Sequence, residues 1–412
     1  MTAIAAMGST ALTHNTTWDD FRSEFNMSKH EIHIAQLYLT AHAKRIQTVI
    51  DDYRAKLDNN PLTFTRKHHG PNNRKVAEAA AAYLQTSSGE IALTDSTTMG
   101  LGILYGGFRL KAGDDILTTT HGHYSHEQSL VFAAKRSNAS LRKIDLYGDA
   151  ATVTVDKIVT TITQAIQPNT RIIAVTYVHS STGVKLPINQ IAAELKRINA
   201  KRSADKRIYL CVDAVHGFGI ENFTMEEMGC DFLAEGTHKW LFAPRGTGIL
   251  FGKESAWDMV NPIIPPYSIA FDMWKGQVPQ DKVDFFSKIT PGGSHSYEYR
   301  WALKTAFEWH LEIGKAKIQH RTHELNTLLK DGLLAMPHIK VHTPYSSELS
   351  SGMVCFEVEG MTPNEVVKHL RDAHIMGTTT PYRTTYARLT PSIINTEAEI
   401  MRCLEVLEKI KD

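Results

Sequence analysis

Hydrophobic residues occur along the first two thirds of the chain in short continuous runs, with amphipathic stretches between them. Apolar runs bounded by polar turns predict strands that are covered on both faces, as in a parallel sheet. Seven strands are predicted, at residues 91–94, 116–120, 141–146, 171–178, 208–212, 231–234 and 248–251. Helices are predicted between them, at residues 74–84, 125–137, 155–166 and 187–200. This alternation predicts an α/β fold with a doubly wound, mostly parallel sheet.

The pattern changes in the last third of the chain. Residues 261–299 are rich in proline and aromatic side chains, and we expect a loop there. A long helix from residue 300 to about residue 334 should lead into a smaller C-terminal α+β domain. Its predicted elements are strands at 353–358 and 386–389, a helix at 363–374 and a last helix opened by a capping box at Thr396 and Glu399. We therefore divide the chain into an N-terminal segment (1–60), a large domain (61–299) and a small domain (300–412).

Composition excludes several classes of protein. The 412 residues are 42% hydrophobic and 22% charged, which is typical of a globular protein with two or three domains. A formal net charge of +1 argues against a general role on nucleic acid or at a membrane surface. No run is apolar enough to span a bilayer. The four cysteines include no CxxC pair, so they predict neither a disulfide framework nor a zinc site.

The first residues leave the location of the protein open. Residues 1–12 are small and apolar, and residues 14–17 are polar. Such a segment is a frayed terminus or the tail of an export signal, although no Lys or Arg precedes Arg22. We expect a cytoplasmic protein if the chain is complete, and an exported one if residues 1–13 are the remnant of a signal.

Two predicted strands end on a lysine and an acid. The strand at 231–234 continues into Gly236-Thr-His-Lys239, and the strand at 208–212 ends at Asp213. Ligands of open α/β sheets bind outside the carboxyl ends of the strands. A buried lysine and a buried acid at this edge can hold pyridoxal phosphate (PLP), because the lysine forms a Schiff base and the acid keeps the pyridine nitrogen protonated. Lys239 and Asp213 are therefore our candidate catalytic residues.

Other strand ends supply further candidates. Ser96, Thr97 and Thr98 follow the first predicted strand and open a helix, where hydroxyls and free N–H groups can bind a phosphate. His123 follows the second strand and could stack on a flat cofactor and assist catalysis. His216, three residues after Asp213, could reach the ring hydroxyl of PLP. Each residue taken singly has an ordinary structural explanation, and their order at successive strand ends is what favours a PLP site.

Rival motifs fit less well. The glycines at 100, 102 and 106 have the wrong spacing for a dinucleotide loop, and the Gly252-Lys253-Glu254 stretch lacks the Ser or Thr of a P-loop. His121, His123 and His126 lack an evident fourth zinc ligand, so we expect no metal.

With these motifs the chain resembles the class V aminotransferase group of fold-type I PLP-dependent transferases, and within it the isopenicillin N epimerase-like branch. The resemblance covers roughly residue 50 to the C-terminus and is strongest at residues 212–219 and 236–248. It implies the Schiff-base role for Lys239 and the pyridinium contact for Asp213. It also implies a homodimer with shared active sites, each binding a small amino-acid-type substrate.

The resemblance assigns roles to further residues. For the cofactor it implies phosphate contacts from Thr97, Thr98 and His238, stacking by His123, and a contact of Ser180 near the ring hydroxyl. Gly293 and Ser294 resemble the segment that reaches the phosphate of the neighbouring subunit. For the substrate it implies a carboxylate clamp at Arg388, and we add His42 and Tyr386 as candidate substrate contacts.

Two departures separate the chain from cysteine desulfurases. That branch places a serine just before the lysine, where this chain has Gly236 and Thr237. It also carries a nucleophilic cysteine on a loop before the arginine, and residues 375–386 contain no cysteine. Desulfurase activity is therefore not expected. Residues 18–57 are more similar to the epimerase-like branch.

The expected chemistry lies at the α-carbon of an amino acid or an amino-acid-bearing metabolite, with Lys239 as the base. Amino transfer is our first prediction, because it is widespread in this family. Epimerisation and β-elimination are the alternatives, since the sequence does not fix the fate of the carbanion. A PLP-binding regulatory or scaffold protein is the non-enzymatic alternative, although such a protein would not need the lysine, the acid and the arginine together.

Overall fold

The structure is a computed structural model that describes residues 17–267, 269–279 and 283–410. The proposed signal remnant at residues 1–13 lies outside the described residues. The strands are β1 (Ile32–His33), β2 (Ile91–Thr94), β3 (Asp115–Thr119), β4 (Ser140–Ile144), β5 (Thr170–Thr176), β6 (Tyr209–Asp213), β7 (Phe232–Gly236), β8 (Gly248–Gly252), β9 (Ile339–Val341), β10 (Val354–Val358), β11 (Ile375–Met376), β12 (Thr378–Thr379) and β13 (Ala387–Leu389).

In the first two thirds of the chain the helices alternate with the strands, and in the last third helices contain more residues than strands do. They are α1 (Trp18–Ser23), α2 (Lys44–Asn59), α3 (Pro61–Leu84), α4 (Thr97–Gly107), α5 (Tyr124–Ser137), α6 (Val155–Gln164), α7 (Ile188–Asn199), α8 (Met225–Met228), α9 (Ala270–Trp274), α10 (Phe285–Ile289), α11 (Tyr297–Ile313), α12 (Lys315–Leu334), α13 (Pro363–Asp372) and α14 (Glu397–Glu408).

The central sheet has seven strands in the order β2–β8–β7–β6–β5–β3–β4. Six strands run in the same direction and only β8 runs in the opposite direction. The predicted doubly wound, mostly parallel sheet is therefore confirmed. All seven predicted strands are present, with ends within two residues of the prediction. The carboxyl ends of β7, β6, β5 and β3 lie side by side along one edge.

Alternate side chains of each strand enter two separate cores, one on each face of the sheet. On β7, for example, Leu233 packs with helices α2, α3 and α11, whereas Phe232 and Ala234 pack with α4 and α10. Burial on both faces explains why the strands read as continuous apolar runs rather than as alternating ones.

The C-terminal part forms a smaller antiparallel sheet in the order β12–β13–β10–β9, covered by α12, α13 and α14 around its own apolar core. The predicted capping box is confirmed: the Thr396 hydroxyl accepts from the Glu399 N–H, and the Glu399 carboxylate accepts from the Thr396 N–H. Strand β1 pairs in parallel with β11, so the N-terminal segment is joined to this part of the chain. The domain bounds given above stay a prediction.

Two predictions of local structure were wrong. The single long helix after residue 300 is divided into α11 and α12 at Gly314, whose φ of +97° lies outside the helical range. The stretch at 261–299, predicted as loop, contains the short helices α9 and α10. Within the described residues no helix is long and apolar enough to cross a membrane.

Candidate active site

The turn that carries Lys239 follows β7 and is held by several hydrogen bonds. The Thr237 N–H donates to the Thr247 carbonyl at 3.1 Å, and the Ala243 N–H donates back to the Thr237 carbonyl at 3.2 Å. Phe242 adopts a φ of +54°, a strained conformation for a bulky residue that persists only where packing imposes it. The turn is thus fixed by its surroundings before any ligand binds.

The N-terminal segment braces the same turn from the other side. The Gln36 amide donates to the Lys239 carbonyl at 3.0 Å, and the Thr40 hydroxyl donates to the His238 carbonyl at 2.9 Å. Both side chains are buried. These contacts could not be predicted from sequence, because they join residues about 200 positions apart.

Burial lowers the pKa of Lys239 to about 8, and Arg388 acts in the same direction, whereas Asp213 opposes it. A larger share of the amine is therefore neutral near pH 7 than in an exposed lysine, and only the neutral form can act as a nucleophile or base. The structure thus gives Lys239 the electrostatic environment that its predicted role needs.

Asp213 ends β6 and is 2% exposed. Burial raises its pKa to about 6, while the Val215 N–H, which donates to Oδ1 at 3.3 Å, and Lys239 favour the carboxylate. A cationic partner in the cleft, such as a protonated pyridine nitrogen, would stabilise that carboxylate further.

His216 lies close to the same strand end and is buried. The Trp240 indole N–H donates to His216 Nδ1 at 3.4 Å, so the ring proton must lie on Nε2. Burial and the charges of Lys239 and Arg388 lower its pKa far below the usual value and keep the ring neutral. His216 is thus a neutral donor held near Asp213, as its predicted contact with a ring hydroxyl requires.

The predicted phosphate site lies at the start of α4. Ser96 caps this helix by accepting from the Met99 N–H at 3.2 Å. Two buried polar atoms here, Thr97 Oγ1 and His238 Nδ1, have no partner among the described residues. A Cβ on Gly236 would lie 2.9 Å from Thr97 Oγ1 and 3.1 Å from His238 Cε1, so these groups enclose a tight cradle. Thr98 is exposed on the first turn of the helix.

The unpartnered atoms are informative because a buried polar group without a hydrogen bond is costly. Thr97 Oγ1, His238 Nδ1 and the free N–H groups of the α4 N-terminus together form a set of donors suited to a phosphate. The residues present therefore fit the phosphate of PLP.

His123 is the N-cap of α5, after β3, and its Nδ1 is 2.8 Å from the Ser125 hydroxyl. Burial, Lys239 and Arg388 lower its pKa. Its ring meets the Tyr382 ring edge-on, with 6.4 Å between the centroids. His123 and Lys239 thus belong to one cleft, on strand ends that are separated by β6 and β5.

Arg388 lies on β13, and three bonds hold its guanidinium. Nε donates to the Thr378 hydroxyl at 3.1 Å, one terminal nitrogen donates to the Ser180 carbonyl, and the other donates to the Thr379 carbonyl at 3.3 Å. A guanidinium has five N–H donors, so two remain for a ligand. The buried arginine is thus oriented in advance and keeps the number of donors that a bidentate carboxylate needs.

Ser180 connects Arg388 to the loop between β12 and β13. Its carbonyl accepts from Arg388, and its hydroxyl is 2.7 Å from the Tyr382 hydroxyl. The structure thereby brings together Ser180, Arg388, Tyr382 and His123, three of which the sequence had singled out as site residues.

Four other predicted residues lie outside this group of contacts. His42 accepts from the Arg245 N–H at 3.3 Å, and the Tyr386 ring stacks on His342 with 4.0 Å between centroids. Gly293 and Ser294 lie in the loop before α11, where Ser294 is exposed. Their predicted roles, as substrate contacts and as contributors to a partner's site, stay predictions.

The cysteines are all buried and free. They are Cys211, Cys230, Cys355 and Cys403. Burial raises the pKa of Cys355, which pairs with Arg388 across β10 and β13, to about 12, so its sulfur stays a thiol. A reactive thiolate of the kind a desulfurase uses is not available. Within the described ranges, no group of three or more His, Cys, Asp or Glu side chains is arranged to hold a metal ion.

A mostly parallel sheet with a lysine and an acid at adjacent strand ends and a smaller C-terminal sheet defines a fold-type I PLP-dependent enzyme. The aminotransferase class-V family matches residues 37–380, which is most of the chain. The protein therefore belongs to the aminotransferase class-V family, and its cofactor is PLP.

Several known proteins are similar to this chain. Isopenicillin N epimerase of Streptomyces clavuligerus is 25% identical over 75% of this chain and 76% of its own length. A probable cysteine desulfurase of Halalkalibacterium halodurans is 26% identical over 68% of this chain and 65% of its own length. The solved complex of the cystine C–S lyase C-DES with its product cysteine persulfide has a TM-score of 0.82 at 20% identity, over 92% of this chain and 98% of that chain.

Proposed function

We propose that this enzyme removes the α-proton of an amino acid, or of a metabolite that carries an amino-acid group, and that the substrate has a free α-carboxylate. The observation that carries the proposal is that Lys239 and Asp213 follow or end neighbouring strands, while the guanidinium of Arg388 is bonded to Ser180, which follows the next strand. A protein that only bound PLP would not need an arginine with two free donors.

Each residue has a defined task. Thr97 and His238 hold the phosphate, and Asp213 holds the proton of the pyridine nitrogen. PLP, when bound, supplies the electron sink that stabilises a carbanion at the α-carbon. Arg388 orients the carboxylate, and Lys239 Nζ takes the α-proton once its amine is free.

The fate of the carbanion decides the reaction. Amino transfer, which we ranked first from the sequence, is favoured only by the breadth of the family. The relatives include an epimerase and proteins that act on sulfur amino acids. Desulfuration needs a reactive thiolate, and all four cysteines are buried thiols. We therefore propose epimerisation or β-elimination ahead of desulfuration.

Product analysis tests the proposal. The purified protein with PLP is incubated with separate L-amino acids in deuterated buffer, and the mixture is examined by NMR, chiral chromatography and mass spectrometry. Deuterium at the α-carbon shows proton removal, a D-amino acid shows epimerisation, a keto acid shows amino transfer, and pyruvate from cystine or serine shows elimination. The absence of α-deuterium, D-amino acid, keto acid and pyruvate with every amino acid offered would refute the proposal.

We expect Arg388→Ala to raise KM for substrates with an α-carboxylate by roughly 10- to 100-fold, because charge-assisted hydrogen bonds are lost. Arg388→Lys should be intermediate, since an ammonium keeps the charge but not the planar fork. Steady-state kinetics with an amino acid and with the matching simple amine measures the effect. The KM for the simple amine should change little, because a substrate without a carboxylate does not bind to Arg388.

Arg383→Ala is the matched control, because Arg383 is exposed on the loop that precedes the strand of Arg388. An equal loss for the amine and the amino acid in Arg388→Ala would show that Arg388 supports the fold and that the clamp lies elsewhere.

We further propose a homodimer in which the segment with Gly293 and Ser294 completes the partner's phosphate site. The exposure of Ser294 supports this arrangement. The proposal predicts complementation between two inactive variants, Lys239→Ala and Ser294→Arg. Mixed dimers would contain one intact site, so random mixing should restore about a quarter of the sites.

Activity per PLP after unfolding and refolding the mixture measures this recovery. Separately refolded variants, combined only afterwards, are the control. A fully active monomer in sedimentation would contradict the shared site.

A further inference from the structure

Tyr382, in the loop between β12 and β13, enters the cleft from the small C-terminal sheet. Its hydroxyl is 2.7 Å from Ser180 Oγ. Its ring meets His179 edge-on at 5.1 Å and His123 edge-on at 6.4 Å between centroids. Tyr382 is therefore anchored on residues that follow β5 and β3.

The order of the sheet places Tyr382 and Lys239 on opposite sides of the cleft. Along the carboxyl edge, Lys239 follows β7, Asp213 ends β6, Ser180 follows β5 and His123 follows β3. Neighbouring strands lie about 4.8 Å apart. Along this edge, Lys239 thus lies on the β7 side of Asp213, and Ser180 with the Tyr382 hydroxyl bonded to it lies on the β5 side.

We propose that Tyr382 is a second proton-handling residue, which gives a proton to the substrate α-carbon from the side opposite Lys239 and so inverts its configuration. This inference rests on the proposed function, since it needs the α-proton to be removed first. It specifies the reaction as epimerisation of an α-amino acid.

The step balances in protons and electrons. The Cα–H bond breaks, its proton goes to Lys239 Nζ, and the electron pair stays on the substrate and is delocalised into the cofactor. The Tyr382 O–H bond then breaks as a new Cα–H bond forms on the other side. A proton passes through solvent from the Lys239 ammonium to the Tyr382 phenolate, which restores both groups.

The Tyr382 hydroxyl is a stronger acid at neutral pH than the neutral imidazole rings of His179 and His123 on the same side. Burial raises the pKa of the phenol to about 12, although the Ser180 hydrogen bond and Arg388 oppose this shift. Burial lowers the pKa of His179 to about 3 and also lowers that of His123, so both rings are neutral. His123 already uses Nδ1 with Ser125, and His179 uses Nδ1 with Thr182.

Tyr382→Phe tests this role, because it keeps the ring and removes only the hydroxyl. The holoenzyme is incubated with L-alanine and with L-glutamate in deuterated buffer. The unmodified enzyme should introduce α-deuterium and form the D-amino acid from at least one of them. Tyr382→Phe should still deuterate the L-amino acid within about threefold of the unmodified rate, whereas formation of the D-amino acid should fall by at least about 100-fold.

A binding measurement separates proton delivery from positioning. 2-Methylalanine has no α-proton, so it binds without turnover and its Kd follows from the change in cofactor absorbance. We expect this Kd to change less than about twofold in Tyr382→Phe, because the carboxylate clamp is intact. Tyr345→Phe is the control for loss of a phenol, since Tyr345 is exposed and bonds to Asp331 at 2.9 Å.

The outcomes are distinguishable. Undiminished formation of the D-amino acid in Tyr382→Phe would overturn the inference, and so would loss of deuteration and inversion together with weaker 2-methylalanine binding. Deuteration without any D-amino acid in the unmodified enzyme would overturn the inference but leave the proposed function intact. No deuteration of either amino acid by the unmodified enzyme would overturn the inference, and the absence of every product from the full panel of amino acids would overturn the proposed function as well.

Discussion

Replacing Lys239 with alanine should reduce turnover by roughly 10⁴-fold or more, because the variant loses both the covalent anchor of the cofactor and the base for the α-proton. PLP should still bind, more weakly, through Thr97, His238 and Asp213. Borohydride reduction followed by peptide mass spectrometry should find the cofactor on Lys239 in the unmodified protein.

The apo chain should capture PLP faster as the pH rises towards 8, because burial lowers the pKa of Lys239 to about 8 and the neutral amine attacks.

Other lysines make this a demanding test. Burial also lowers the pKa of Lys315 and of Lys330 to about 8, so low pKa by itself does not single out Lys239. Their amines already donate to backbone carbonyls, Lys315 to that of Tyr83 and Lys330 to that of Pro344. Lys253→Ala, at an exposed lysine after β8, is the control. A reduced adduct on Lys315 or Lys330 would disprove the assignment.

Asp213→Asn should lower turnover by about 10³-fold while PLP stays bound, since the amide cannot hold the pyridinium proton and the electron sink is weakened. The amide oxygen can still accept from the Val215 N–H, so the turn after β6 should survive. Single-turnover kinetics per bound PLP, together with the melting temperature, separates the two effects.

Asp231→Asn is the matched control for a buried acid. Asp231 directly precedes the neighbouring strand β7, and its carboxylate accepts from the Leu210 N–H at 2.9 Å and from Arg207. It lies at the opposite edge of the sheet from the cleft. We expect Asp231→Asn to lower stability with little change in rate per bound PLP. Near-normal turnover in Asp213→Asn would show that another acid contacts the cofactor.

Local patterns were sufficient for the sheet and for the residues at its carboxyl edge. A strand buried on both faces must be continuously apolar, so β5 and β6 could be recognised without knowledge of their neighbours. Lys239, Asp213 and His123 could be found because each lies at or shortly after the carboxyl end of such a strand, and strand order then brings them to one edge.

Features that depend on contacts between distant segments could not be found in this way. Gly314 interrupts an otherwise helical pattern. A single glycine is often tolerated within a helix, so its position did not predict that the helix ends there. The contact of Tyr382 with Ser180 could not be predicted, because it depends on how the small sheet packs on the large one. The same limit applies to Gln36 and Thr40.

The N-terminal segment has contacts on both sides of the cleft. Gln36 and Thr40 hold the backbone of the Lys239 turn. A few residues earlier, β1 pairs with β11, and Ala35 forms a bridge with Thr390 directly after the strand that carries Arg388. A shift of the small sheet that closed Arg388 on a carboxylate would therefore also pull on the peptide groups of His238 and Lys239. Substrate recognition and the position of the base would then be mechanically coupled through a segment that takes no part in the chemistry.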